Sequence, residues 1–192
     1  MELMAWLYFW HVIDVLLLEG KNMFKKLIIP TDGSPLATTA ALQGVELASK
    51  IGAEVVGIFV AREKQDPVFD FSDIRPRNYP TMEEYKQAIT EAGNNYMKPL
   101  RDAAEKEGVA FTPLVTMSNE TAQHIVDEAK ANGCDLIYMG SHGGTGWGKN
   151  LMGSVATKVF LASSIPILIY KFEQEQIPKN LIRKSYYNAL PV

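Results

Sequence analysis

The sequence contains little cysteine and little histidine, and this excludes several kinds of site. Among its 192 residues there is one cysteine, Cys134, and three histidines, His11, His124 and His142. A single thiol cannot form an intramolecular disulfide or supply a cysteine-based zinc site. No two histidines have the spacing of metal ligands on one helix or strand. We therefore expect no metal held by protein side chains alone, and we interpret Cys134 as a small apolar residue at the start of a buried strand.

The chain also lacks a strong excess of charge of either sign. Its formal net charge is −3, which gives no electrostatic reason to expect nucleic acid as the main partner. The composition is 47% hydrophobic and 21% charged, as in an ordinary soluble globular protein. The length suits one domain with extensions. The near absence of cysteine agrees with the reducing cytoplasm, where we expect the protein to be.

Residues 1–22 form the least ordinary segment. They are strongly apolar, yet they carry charged or ionisable side chains, among them Glu2, His11, Asp14 and Glu19. A secretory signal would need a basic start and a small-residue cleavage site, and neither is present. We expect no membrane span, because Asp14 near its middle is costly in a bilayer. Three interpretations remain open. The segment could be a helix that docks on the domain or on a partner subunit, an over-extended start of a protein that naturally begins at Met23, or a membrane-associating helix. We favour the first.

From Phe24 onward, apolar runs alternate with amphipathic segments. The runs that predict strands cover residues 26–30, 54–61, 109–117, 134–139 and 165–170. Each of the first four is followed by a helical pattern, the last of which covers residues 154–163. Five strands alternating with four helices predict an α/β fold, with an open, doubly wound, five-stranded parallel sheet in a three-layer α/β/α arrangement that is Rossmann-like.

Two of the predicted helices have features with structural consequences. The first presents a face of small residues, Ala37, Ala41, Gly44 and Ala48, which lets a helix lie close to a sheet. The second contains Pro99, which we expect to kink or restart it. Before that helix, residues 62–80 indicate an ordered or semi-ordered loop, and residues 173–192 give no prediction of regular structure.

The carboxyl ends of the first and fourth strands are the expected place for a ligand. In open α/β sheets a ligand binds beyond the carboxyl ends of the strands, where the strand order reverses. If these two strands are the neighbours at that point, Asp32 and the loop that begins at Gly140 face each other across one crevice. The prediction depends on topology and not on any motif.

The stretch from Gly140 to Val155 reads GSHGGTGWGKNLMGSV and connects the fourth strand to the last helix. A strand, a glycine-rich loop and a helix start form an arrangement in which backbone N–H groups and the positive end of a helix hold phosphate. Glycine is suited to this role because only a residue without Cβ lets the backbone approach a ligand closely. The loop is therefore a candidate phosphate site.

Other interpretations of the loop are less consistent with its residues. Residues 143–150 resemble the start of a Walker A loop, but Asn150 stands where the magnesium-binding hydroxyl is needed. The glycines are too closely spaced for a dinucleotide fingerprint. Ser141 and His142 beside Asp32 suggest a hydrolytic triad, yet the nucleophile-elbow spacing is missing. We interpret His142 as a hydrogen-bonding loop residue and not as a general base. A turn without a ligand also remains open.

Three sequence blocks resemble the universal stress protein family. The first is PTDGS at residues 30–34, and the second is Phe59-Val60 at the end of the second strand. The third is the spacing G-x2-G-x9-G-S-V, which begins at Gly140 and ends at Val155. The resemblance extends from Phe24 to about residue 170. It implies the adenine nucleotide alpha hydrolase-like form of the predicted fold and a site for ATP.

The resemblance also implies roles for individual residues. Asp32 would lie by the ribose and adenine, with Pro30 and Thr31 lining the pocket, and Val60 would offer backbone hydrogen bonds to adenine. Gly140 and Gly143 would let the chain approach ribose and phosphates. The phosphates would lie at the helix start. The full set of implied nucleotide-binding residues is Pro30, Thr31, Asp32, Val60, Met139, Gly140, His142, Gly143, Gly153, Ser154 and Val155.

As a whole, the resemblance implies an ATP-binding regulator of the stress response with a family domain at residues 23–172. Residues 1–22 would be an N-terminal extension and residues 173–192 a C-terminal tail. Mg²⁺ or Mn²⁺ would be held mainly by the ATP phosphates. Members pair through the fifth strand, so we expect a homodimer. Its contact would be the segment from Ile165 to Phe172, an apolar edge suited to pairing. No residue set suggests efficient turnover, and we expect no enzyme activity. The alternatives are a weak ATPase or phosphotransfer enzyme and a nucleotide-free interaction module.

One turn departs from the family pattern. The family has a glycine and then a proline after the third strand, whereas this chain has Ser118, Asn119, Glu120 and Thr121. Asparagine tolerates the left-handed conformation, so the turn can form. The wall of the pocket beside this turn is expected to differ from that of relatives.

Overall fold

The computed structural model describes residues 23–63, 80–142 and 152–171. Within them the predicted alternation is present: β1 (Lys26–Pro30), α1 (Pro35–Ile51), β2 (Glu54–Ala61), α2 (Met82–Glu107), β3 (Phe111–Met117), α3 (Thr121–Ala131), β4 (Leu136–Gly140), α4 (Ser154–Ala162) and β5 (Ile167–Tyr170). Some predictions fall on residues outside these ranges. They are the predictions for the N-terminal extension, the C-terminal tail, most of the loop after β2 and the middle of the glycine loop.

The strands form one parallel sheet in the order β3-β2-β1-β4-β5. The strand order reverses between β1 and β4, which are neighbours. The prediction of an open, doubly wound parallel sheet is therefore confirmed, and so is the neighbouring position of the first and fourth strands. The loops after β1 and β4 consequently leave the sheet side by side, at the edge formed by the carboxyl ends of the strands.

Strands β1 and β4 are paired over only part of their length. The paired positions are Leu27 with Leu136 and Ile28 with Ile137. By contrast, β1 and β2 are paired at every position from Lys26 to Pro30. The carboxyl ends of β1 and β4 are thus not joined to each other, and a crevice opens between them.

Two pairs of helices cover the sheet. Buried side chains of α1 and α2 pack on one face, where they contact alternate residues of β1 such as Leu27 and Ile29. Buried side chains of α3 and α4 pack on the other face, which includes Ile28. These faces alternate because successive strand residues point to opposite sides of a sheet. Both faces of the central strands are therefore buried, as their continuous apolar sequence predicts.

Helix α1 lies close to the sheet through its small residues. The four predicted members of this face are all buried: Ala37, Ala41, Gly44 and Ala48. A Cβ built on Gly44 would come within 2.7 Å of Ile29 Cδ1 and 2.7 Å of Tyr138 Cδ1. The helix ends as predicted at Gly52, whose φ of 65° is left-handed. A side chain at the middle of α1 would therefore have to displace the side chains of Ile29 and Tyr138 in the sheet.

We expect Gly44→Val to lower the free energy of unfolding by about 1–3 kcal/mol, because the new side chain overpacks the contact with Ile29 and the Tyr138 ring. Urea unfolding followed by circular dichroism measures this change. The exposed neighbour Gln43 provides the control, since Gln43→Ala should shift the free energy of unfolding by less than about 0.5 kcal/mol. Equal stability of the two variants would contradict the close packing of α1.

Helix α2 runs through Pro99 as one helix of 26 residues, so the expected restart does not occur. Pro99 and Asn95 both lie on the exposed side of the helix. Because proline has no N–H, the Asn95 carbonyl lacks its helical donor, and water can donate to it instead. The helix begins with a capping box between Thr81 and Glu84. Of the helices in the described part of the chain, none has the length and apolar character needed to cross a bilayer.

Three strands begin later than the sequence pattern predicts, because the first apolar residues belong to the preceding turns. The N–H of Val109 donates to the Ala104 carbonyl of α2, at 2.8 Å, and β3 begins at Phe111. The N–H of Cys134 donates to the Ala129 carbonyl of α3, also at 2.8 Å, and β4 follows it. Similarly, the N–H of Ile165 donates to Ser163 Oγ at 2.9 Å ahead of β5.

Cys134 is buried, as expected, but it lies in the turn before β4 and not at the start of the strand. Burial raises the pKa of its thiol to about 11, with a smaller opposing effect from Lys26. The thiolate is the reactive form, so we expect the folded protein at pH 7.5 to react with an aromatic disulfide reagent at least about 100-fold more slowly than the protein in urea. Equal rates in the two states would contradict this burial.

Candidate functional site

A cavity of about 290 Å³ opens at the carboxyl ends of β1, β2 and β4. It occupies the crevice produced by the separation of β1 and β4. The residues that line it come from strand ends and helix starts: Pro30, Thr31, Asp32, Ala37, Ile58, Val60, Thr121, Ile125, Met139, Gly140, Ser141, His142, Gly153, Ser154, Val155 and Ala156. This is the position at which the topology predicts a ligand.

The turn after β1 forms the first wall. Thr31 is buried, and its N–H donates to the Ile58 carbonyl at 2.9 Å. Gly33 follows with a φ of 74°, and a Cβ there would collide with the Tyr96 ring. Its N–H donates to Thr31 Oγ1 at 3.2 Å. Only glycine fits this turn, which holds the exposed Asp32 side chain at the rim of the cavity.

The carboxylate of Asp32 is tied to the start of α1. Its Oδ1 atom accepts a hydrogen bond from the Ser34 N–H at 3.0 Å. Ser34 in turn caps α1, because its Oγ accepts from the Ala37 N–H at 3.2 Å. The first turn of α1 therefore already has a side-chain cap, and the exposed carboxylate has a fixed position beside the cavity.

The second wall is formed where the chain leaves β4 and enters α4. The Ser141 N–H donates to the Tyr170 carbonyl of β5 at 2.8 Å, and the Ser141 carbonyl accepts from the Gly153 N–H at 2.7 Å. A Cβ on Gly153 would lie 3.0 Å from that same carbonyl oxygen and 3.4 Å from His142 Cα. Gly153 is thus a position of close backbone approach, which brings the two ends of the glycine loop together.

Helix α4 points its N-terminus at the cavity, and its N-cap residue supplies no side-chain cap. Its N-cap residue, Gly153, has no side chain with which to accept from the first turn. Ser154, Val155 and Ala156 follow and line the cavity. The first backbone N–H groups of a helix have no intrahelical acceptor and carry partial positive charge. This end of the cavity is therefore suited to an anion such as phosphate.

The third wall is apolar and comes from β2, α3 and β4. Ile58 and Ile125 are buried, Val60 is half-buried, and Met139 is 6% exposed. Thr121 lies one turn before Ile125 at the start of α3 and lines the same wall. A flat apolar group such as a purine base fits a wall of this kind, and the half-buried Val60 leaves its strand end accessible.

The side chains of Ser141 and His142, two residues that line the cavity, form a hydrogen bond with each other. Ser141 Oγ lies 3.1 Å from His142 Nδ1, with the donor set by the tautomer of the ring. Ser141 is only 6% exposed. The serine hydroxyl is thus held by its neighbour, an arrangement that agrees with the interpretation of His142 as a hydrogen-bonding loop residue.

The part of the cavity lining that the structure describes carries little charge. Among the described residues that line it, none is lysine or arginine, and Asp32 is the single carboxylate. Across the same part of the chain, no cluster of three or more His, Cys, Asp or Glu side chains is arranged to hold a metal ion. A highly charged anion here would depend on backbone N–H groups, on the helix terminus and on a cation that the anion itself brings.

The structure brings together every predicted site residue that it describes. Those that line the cavity are Pro30, Thr31, Asp32, Val60, Met139, Gly140, His142, Gly153, Ser154 and Val155. Gly143 lies outside the described residues. The lining also includes residues that were not predicted: Ala37, Ile58, Thr121, Ile125, Ser141 and Ala156. Ile58 could have been found from its spacing, because it lies two residues before Val60 and therefore on the same face of the strand.

Comparison with known proteins agrees with this architecture. A model of the universal stress protein family matches residues 23–171. The chain is 30% identical over 162 residues to universal stress protein MJ0531 of Methanocaldococcus jannaschii, a match that covers 84% of this chain and 91% of that protein.

Solved structures show the same fold. Protein MJ0577 of the same archaeon is similar with a TM-score of 0.61 and 29% identity, over 79% of this chain and 99% of that one. A universal stress protein family protein from Arabidopsis thaliana, solved with AMP bound, is similar with a TM-score of 0.54 and 12% identity, over 82% of this chain and 98% of that one. Family match, sequence identity and fold lead to one conclusion: this chain belongs to the universal stress protein family.

Proposed function

We propose that the protein binds ATP in the cavity between β1 and β4 and acts as a nucleotide-dependent regulator of the stress response in the cytoplasm. The observation that carries the proposal is the joining of two unlike surfaces in one cavity. An apolar wall that includes Ile58 and Ile125 lies in the same cavity as the N-terminus of α4, whose N-cap residue, Gly153, has no side chain. A nucleotide has the matching parts, a flat base and an anionic phosphate chain.

The phosphates would lie at the start of α4. Gly153 permits close approach, and the backbone N–H groups of Ser154 and Val155 supply donors that no side chain of the N-cap residue occupies. The lining described here has no basic side chain, so we propose that Mg²⁺ or Mn²⁺ enters with the nucleotide and is held mainly by its phosphates. Gly140 would let the backbone approach the ribose and phosphates, and Gly143 is proposed for the same role.

The base and the ribose would lie at the other end of the cavity. Val60 is half-buried at the end of β2 and would offer backbone hydrogen bonds to adenine, while Asp32 would accept from the ribose hydroxyls. Pro30, Thr31, Met139 and His142 would complete the enclosure. The Arabidopsis relative was solved with AMP bound, which supports an adenine nucleotide as the ligand class.

A second copy of the chain would pair along β5. This strand is last in the sheet, so one of its sides has no neighbouring strand among the described residues. It carries the apolar side chain of Leu168, which is 39% exposed. An unpaired apolar edge is a template for strand pairing, and we propose that the segment from Ile165 to Phe172 forms the homodimer contact.

The proposed role is binding and not turnover. Ser141 is buried and bonded to His142, so its hydroxyl is not placed as an exposed nucleophile. The described lining provides no group set for activating a water molecule beyond the single carboxylate of Asp32. Slow hydrolysis remains testable in the same preparation that tests binding.

The first experiment identifies the nucleotide that accompanies the protein. The protein is purified without added ligand and denatured, and the supernatant is separated by chromatography. ATP near one per chain supports the proposal and argues against rapid turnover. ADP alone would favour the weak ATPase and calls for a turnover assay. A cavity that is empty and stays empty during titration with ATP and Mg²⁺ would overturn the proposal and favour an interaction module without nucleotide.

A further inference from the structure

Two large apolar side chains are exposed side by side at the end of helix α4. Phe160 is 59% exposed and Leu161 is 77% exposed. The sheet-facing side of the same helix is already occupied by Ala156 and Val159, which are buried. We call Phe160 and Leu161 the α4 patch. Contiguous apolar side chains exposed on a surface are candidates for an interaction site.

The α4 patch lies at the edge of the sheet opposite the cavity. Helix α4 leaves the carboxyl end of β4 and returns to the start of the parallel strand β5, so its last turn is at the amino edge. This edge is held together by hydrogen bonds between strand starts. The Asp135 N–H donates to the Lys26 carbonyl at 2.9 Å, and the Ile137 N–H donates to the Pro166 carbonyl at 2.9 Å.

The chain enters the fold at this same edge. The Asp135 carboxylate accepts from the backbone N–H of Lys25, at 2.9 Å to Oδ2, and from the backbone N–H of Lys26, at 3.0 Å to Oδ1. These bonds fix the start of β1 two strands away from β5. Adjacent strands are about 4.8 Å apart, so the point where residues 1–22 join the domain is close to the end of α4.

The sequence of residues 1–22 provides a matching apolar face. Trp6, Trp10, Ile13 and Leu17 have spacings of four, three and four, which would place them on one side of the segment if it were helical. As a helix, 22 residues would extend about 33 Å, more than the distance from β1 to the α4 patch requires. We propose that residues 1–22 fold back on their own domain and cover the α4 patch with this apolar face.

Charge also favours this occupant. Lys158 is the one charged residue of α4, and it is exposed one turn before Leu161. Residues 1–22 carry three acidic side chains, Glu2, Asp14 and Glu19, against one basic side chain, Lys21. The segment therefore has an acidic excess that complements Lys158. A tethered segment also has an effective concentration in the millimolar range, which favours it over a second copy.

The inference does not depend on nucleotide binding, because the α4 patch and the cavity lie at opposite edges of the sheet. An experiment on the full chain tests it through the accessibility of one thiol. Leu161→Cys introduces a thiol at the α4 patch, and the native Cys134 is buried and expected to be unreactive. Glu105→Cys, on the exposed side of α2, is the matched control for a free surface thiol.

We expect a maleimide reagent at pH 7.5 to label Leu161→Cys at least about 10-fold more slowly than Glu105→Cys in the full chain. Adding Trp10→Asp and Ile13→Asp to the Leu161→Cys chain should raise its rate to that of the control. Equal labelling rates for Leu161→Cys and Glu105→Cys, measured with residues 1–22 unaltered, would overturn the proposal. The proposal would also be overturned if Leu161→Cys were still labelled slowly after Trp10→Asp and Ile13→Asp had been added.

Protection by a second copy has a different signature. It would fade on dilution, whereas coverage by the chain's own segment is independent of protein concentration. A concentration-dependent rate would therefore overturn the proposal in favour of coverage of the α4 patch by the second copy that is proposed to pair along β5. A short bis-maleimide applied to a chain with Ile13→Cys and Leu161→Cys provides a second measurement. Monomer-sized cross-linked product supports the proposal, and dimer-sized product alone contradicts it.

Discussion

Gly153→Val is expected to weaken ATP binding by at least about 100-fold, the loss of roughly 2.7 kcal/mol of binding free energy. A Cβ at this position would already lie 3.0 Å from the Ser141 carbonyl oxygen, and the larger valine side chain must push the start of α4 away from the β4 exit. The N–H groups of Ser154 and Val155 then no longer meet the phosphates. Isothermal titration with ATP and Mg²⁺ measures the effect.

The control for this variant must separate lost binding from lost stability. Gly108 has a φ of 68° and open space within 4 Å of the position that a Cβ would take, and it ends α2 away from the cavity. Gly108→Ala should destabilise the fold by about 1 kcal/mol through backbone strain and leave the affinity for ATP unchanged. Normal ATP affinity in Gly153→Val, with the fold intact, would contradict the assigned phosphate site.

Leu168→Asp is expected to raise the dissociation constant of the proposed homodimer by at least about 100-fold, because pairing would bury an unpaired charge from each copy. Leu168 is 39% exposed in the single chain, so the charge remains in contact with water when the copies are apart. The folded monomer should therefore survive. Sedimentation equilibrium over a range of protein concentrations measures the change.

The opposite edge of the sheet offers a matched control for this charge. Thr112 is exposed on β3, the other outermost strand of the described sheet. Thr112→Asp adds the same charge there and should leave the dimer intact. Equal dissociation of both variants, or a dimer that tolerates Leu168→Asp, would exclude β5 as the contact.

Much of the site was predictable because a parallel sheet gathers its loops at one edge. Asp32 and Gly140 are more than 100 residues apart in the sequence, yet each lies at the end of a continuous apolar strand. The strand order then places both at the crevice. The alternation of strands and helices predicts that both loops leave the sheet at the same edge, since helical crossovers make the strands parallel. That β1 and β4 are neighbours was a condition of the prediction, which the structure meets.

Other members of the site depend on packing that a single sequence does not contain. Thr121 and Ile125 line the cavity because α3 packs over the end of β2, and their spacing alone would fit any amphipathic helix. The requirement for Gly33 is similar. A Cβ at this position would collide with the ring of Tyr96, a residue of α2 that is distant in sequence. Contacts between elements, and not local propensity, decide both cases.

The partial pairing of β1 and β4 has a consequence for the kinetics of binding. Their pairing includes Leu27 and Ile28 of β1 and goes no further toward the carboxyl ends. An arriving ligand consequently breaks no hydrogen bond between these two strand ends, so little of its binding free energy is spent on separating them. Association should then proceed without a slow step in which β1 and β4 separate.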